Sequence, residues 1–63
     1  MYEYTVTGKH YSEVYQRWVL LAISKTGEQF HVMTKQEPDY EVGEEFTVGT
    51  EFWNYIESLN EIS

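Results

Sequence analysis

The groups with which this chain could do chemistry are two imidazoles, four serines, six tyrosines and a long run of carboxylates. His10 and Glu13 are close enough in sequence to form half of a metal or acid–base site. A working site needs a third ligand or an orienting group, and the sequence offers neither. His31 stands on the parity opposite Phe30 and Val32 in an alternating stretch, where it reads as an exposed or hydrogen-bonded sheet residue. Ser12, Ser24, Ser58 and Ser63 fall in no nucleophile elbow or Ser/His/Asp pattern. The glycines at 8, 27, 43 and 49 are dispersed and build no phosphate-cradling loop. Cysteine is absent, which removes thiolate nucleophiles, disulfides and Cys-based zinc sites. The sequence nominates no catalytic, cofactor-binding or metal-ligating residue, and an enzyme is not expected.

The carboxylates are the stronger signal. From Glu37 onward the chain holds eight of its eleven acids and neither Lys nor Arg. The first 36 residues hold Glu3, Glu13 and Glu28 against Lys9, Arg17, Lys25 and Lys35, so +1 and −8 sum to the net charge of −7. The acidic stretch also carries Tyr40, Val42, Phe46, Val48, Phe52, Trp53, Tyr55, Ile56 and Leu59. A disordered acidic tail lacks such apolar content, so the charge should ride on folded elements. Carboxylates fixed in that way favour basic partners and disfavour phosphate backbones and anionic lipid. The tyrosines and tryptophans could stack bases, but with four basic residues in the whole chain there is no cationic groove beside them. Packing is their expected use, and no direct nucleic-acid binding is expected.

The elements that must position these groups follow from periodicity. Residues 2–7 alternate, with Tyr2, Tyr4 and Val6 on one side, and read as a strand that Gly8, Lys9 and His10 end. Residues 8–15 permit a helical turn capped by Ser12 or an extended loop. Residues 16–24 are apolar at both parities, which predicts a central strand covered on both faces, with a buried helix as the rival. Lys25–Glu28 followed by the alternating residues 29–34 favours a hairpin in which Gly27 takes a positive φ. Pro38 and Asp39 mark residues 35–40 as a loop. Residues 40–48 alternate again and predict a strand with a bend or bulge at Gly43. Thr50 is the expected N-cap of a short helix that buries Phe52, Ile56 and Leu59, with Tyr55 beside them and Trp53 on the flank. Glu51, Asn54, Glu57, Ser58 and Glu61 take the other face.

Residues 1–63 are thus expected to form a single domain, near the lower size limit for folding without staples. The expected class is α+β, mostly β: a small curved antiparallel sheet, or SH3/OB-like partial barrel, of about four strands with one C-terminal helix. The phrase Tyr40-Glu41-Val42-Gly43-Glu44-Glu45-Phe46-Thr47-Val48 resembles strand–turn phrases of SH3-like and OB-like small barrels, a resemblance that implies fold and carries no function. In size, charge and aromatic content the chain is similar to small phage-encoded inhibitors and DNA mimics. Its longest apolar run, Trp18–Ile23, is far short of the ~20 residues that span a membrane, and the first ten residues have no signal-peptide pattern. No membrane association and a cytoplasmic location are expected.

The function expected from these features is docking on a basic surface of a larger, nucleic-acid-handling protein. Glu41, Glu44, Glu45, Glu51 and Glu57 would steer association, with Tyr40 and Trp53 as aromatic anchors. The alternatives are a structural or accessory β-module that homodimerises through a strand edge or the helix, and an SH3/OB-like ligand-binding domain.

Overall fold

The computed structural model describes residues 2–61. Strands β1 (Tyr2–Ser12), β2 (Arg17–Ser24), β3 (Gln29–Thr34) and β4 (Glu45–Val48) form one antiparallel sheet in the order β3-β2-β1-β4, followed by helix α1 (Thr50–Asn60). The sheet curls into half a barrel and the helix packs against one face, so the expected mostly-β α+β architecture is the one found. Among the described residues no helix is long and apolar enough to cross a membrane.

Alternation assigns the faces. Val6 pairs with Ala22, Leu20 with Val32, Ala22 with Phe30 and Tyr4 with Phe46, so these side chains share one side of the sheet. Phe52 and Ile56 of α1 close over them, and Val6, Leu20, Ala22, Phe46, Phe52 and Ile56 form the buried core. Aromatic rings fill most of it: Phe46 and Phe52 stack at 4.8 Å with planes 11° apart, and Phe30 meets Tyr4 at 5.0 Å. Large rings supply much of the apolar area that a chain this short needs.

β1 does not end at Gly8, as its glycine and polar neighbours suggest, but continues to Ser12. The register passes from Val6↔Ala22 to Gly8↔Leu21, which leaves Thr7 as an extra, unpaired residue, a β-bulge. Beyond it the parity inverts: Lys9 pairs with Leu20 and Tyr11 with Trp18, on the helix side of the sheet. Tyr11 and Trp18 meet edge to face at 5.6 Å. The open choice over residues 8–15 therefore resolves into strand through Ser12 and a tight turn. In that turn Tyr15 N–H donates to Ser12 Oγ at 3.4 Å, and Gln16 takes a positive φ of 54°.

The β2–β3 hairpin forms as expected, with Gly27 at φ 89° donating to Ser24 O at 3.0 Å. The fourth strand is shorter than the pattern suggests, running from Glu45 rather than Tyr40. Gly43 at φ 98° and the Glu44 N–H to Glu41 O bond of 3.0 Å make residues 41–44 a turn. Tyr40 leaves the strand path because its ring is drawn into the core, 5.2 Å from Phe46 and 5.9 Å from Tyr55. The helix cap also differs. Gly49 is the extended N-cap and Thr50 is already helical, because β4 runs to Val48 and leaves one residue to make the corner. No side chain caps the helix start.

Candidate interaction surface

The connection from β3 to β4 is the longest in the molecule, and four side chains tie it down. Lys9, carried to the helix side by the bulge, places its ammonium 2.9 Å from Glu37, 3.8 Å from Glu41 and 3.2 Å from the Pro38 carbonyl it donates to. The Glu37 hydrogen bond is the largest influence on this group and raises its pKa above the ordinary lysine value, with desolvation opposing. Tyr55 Oη accepts from Asp39 N–H at 2.6 Å, and Asn60 Oδ1 accepts from Lys35 N–H at 3.0 Å. Thr34, fully buried, donates to Gln36 O at 2.6 Å, and Pro38 is buried beneath the strap. An acidic loop that would otherwise be solvated is thereby held as a fixed surface.

Beside this strap, a depression of about 380 Å³ runs along the free edge of β4 to the first turns of α1. Phe46, Phe52, Tyr40 and Tyr55 give it aromatic walls, and Glu45, Thr47 and Glu51 stand around them. Burial pushes the Tyr40 phenol above its ordinary pKa, and Tyr55 and Glu44 nearby push it the same way. The edge is open because β4 pairs only with β1. Its charged flank keeps such an edge from pairing with arbitrary strands. Chemically, the site can bind cations between carboxylates, stack an apolar or cationic stem on rings, and accept hydrogen bonds.

Of the residues nominated from sequence, Tyr40, Glu45 and Glu51 line this one depression, and Glu44 adjoins it. Glu41 is turned toward Lys9, and its N–H donates to Glu44 Oε1 at 2.9 Å. Trp53 and Glu57 are not brought to it. Trp53 packs at 6.1 Å from Phe30 on the β3 flank of the helix, and at about 100° per residue Glu57 follows it round that side. Sequence reasoning missed Lys9, whose partners lie about thirty residues away. It also missed that α1 leaves the second apolar parity of β2 uncovered: Val19, buried among its neighbours, and the half-buried Leu21 and Ile23 face away from the helix and lie outside the core cluster. The signal was present in the two-sided apolar run, but that run says that a face is apolar and not what covers it.

Among the described residues, no three of His, Asp and Glu converge in a way that could hold a metal ion. No protein-family model, curated protein or solved structure matches this chain.

Proposed function

We propose that this protein is a small acidic binding module that acts by occupying a basic surface on a larger protein, with the β4 edge depression as its recognition site. One observation carries the reading. Glu45 and Glu51 stand around an aromatic-walled depression, with Glu44 beside it, and none of the three has an ion-pair partner among the described residues. Lys9, the cation of the ion pairs among the described residues, is engaged by Glu37 and Glu41. Unpaired carboxylates around apolar rings suit a lysine or arginine whose stem packs on the rings while its charge meets the acids. A partner that handles nucleic acid presents such cations, and a rigid acidic surface competes for them as phosphates do; two-residue steps along a strand repeat at about 7 Å. The module then works as an inhibitor of the DNA-mimic kind, in the cytoplasm and by binding rather than catalysis.

The test is affinity capture of basic, nucleic-acid-binding proteins on the immobilised protein, with salt-gradient elution. It is run beside the triple variant Glu44→Lys, Glu45→Lys, Glu51→Lys. The wild type should retain a basic protein that leaves at moderate salt and whose nucleic-acid binding it competes away; the variant should retain none. Equal retention by both proteins removes the depression from the function.

A further inference from the structure

The face of the sheet turned away from α1 is unusual for a solvated antiparallel sheet, which normally places polar residues outward. β1 obeys that rule with Glu3, Thr5 and His10, and β4 with Glu45 and Thr47. β2 does not. Its outward residues Val19, 9% exposed, and Leu21 and Ile23, half-buried, make an apolar stripe, widened by Met33, which pairs with Val19 from β3 and is 37% exposed. Beside the stripe lies a dent of about 180 Å³ bordered by Leu21, Ile23, His31 and Thr7, room for an apolar side chain from outside. α1 packs on the opposite face, where Phe52 and Ile56 join the buried core.

The geometry points to a second copy of this chain as the occupant, packed face to face through the β2 stripe about a two-fold axis that crosses the strands. Charge selects that arrangement. The outward face carries its fixed cation, Arg17, at the start of β2, and its acids, Glu3 and Glu45, toward the opposite end. A two-fold axis running along the strands would set Arg17 on Arg17. An axis across them inverts one copy, brings Arg17 toward the Glu3 end of the other, and lays the stripes against each other, Val19 over Leu21. Size agrees. Four strands at about 4.8 Å spacing and about 3.3 Å per residue give a footprint near 450 Å² per copy, or about 1,000 Å² for the pair once surface relief is included. That is the lower end of specific interfaces, and it implies a reversible dimer. It leaves the depression between β4 and α1 open, so one dimer presents two acidic sites.

Sedimentation equilibrium from about 1 μM to about 1 mM protein tests this, spanning the affinities such an interface supports. The expected result is a monomer–dimer equilibrium. Met33→Lys, at an exposed position that the fold tolerates, should weaken it at least tenfold. Arg17→Glu should weaken it several-fold, and adding Glu3→Arg should restore it. Both single variants should keep wild-type circular dichroism and wild-type partner capture, whereas the double reversal Glu44→Lys, Glu51→Lys, which leaves Glu45 of the dimer face in place, should lose capture and still dimerise. A wild type that stays monomeric throughout, or a dimer indifferent to Met33→Lys, overturns the proposal.

Discussion

On one side of the sheet, Phe46 and Phe52 stack at 4.8 Å, and Leu20 has no exposed surface. On the other, Leu21, the very next residue, remains part-exposed, and Met33 is more than a third exposed. Both faces belong to the same central strand, and hydropathy alone does not tell them apart. The difference lies in the helix: an amphipathic helix has one apolar stripe, so it can seal one face only. The lesson is that apolar alternation states a demand for burial and leaves the supplier open.

Substitutions that truncate each face should separate them widely. Phe52→Ala should cost about 3–5 kcal/mol, enough to abolish the urea unfolding transition of so small a domain. Ile23→Thr, at a half-buried position on the outer face, should cost about 1 kcal/mol or less in dilute, monomeric protein. A similar cost for both would mean that something already covers the outer face.

The strap gives the next largest contrast, through pH. The folded-state pKa of Lys9 is raised above 10.5, chiefly by its hydrogen bond to Glu37, so its stabilisation is complete below 10.5 and fades as pH climbs through the folded value. Tyr40 is raised above 10.0 by burial, so the unfolded phenol ionises first and stability falls over the same alkaline window. Wild-type stability should therefore decline above about pH 10, whereas a Lys9→Met, Tyr40→Phe double variant should show a flatter alkaline profile by urea titration. An unchanged slope would show that neither group titrates differently in the folded protein.

The smallest effect belongs to the turn between β1 and β2. Gln16 holds φ 54°, a region costly for any residue with a Cβ. Gln16→Gly should gain about 0.5 kcal/mol, the relief less the entropy that glycine adds to the unfolded chain, and raise the melting temperature by a few degrees. A loss of stability there would show that Gln16 makes a contact outweighing its strain.

What could be read from the residues alone tracks where local pattern decides. The Gly27 hairpin and the Phe52/Ile56 helix face were legible because each depends on neighbours a few residues away. The second half of β1 was not, because Gly8 and Lys9 look like a strand end, and only pairing to Leu21 and Leu20 keeps them extended. The candidate site divides in the same manner. Helical spacing shows that Glu51 and Trp53 diverge, but which of them meets Tyr40 depends on how α1 lies across the sheet. Lys9 reaching Glu37 is a contact across 28 positions and has no local trace.

Thr7 acts on β1 as a phase shift acts on a wave. Everything before it keeps one rhythm of inward and outward residues, and everything after it keeps the complementary one, up to Ser12. Were Thr7 paired in the ladder instead, one rhythm would run through the strand, turning Lys9 out to water and bringing His10 in beneath the acidic strap. A chain that is otherwise short of cations in its acidic half thus receives one through counting rather than composition. Deleting Thr7 would spare it, because Val6, Gly8 and Lys9 already pair in step with Ala22, Leu21 and Leu20.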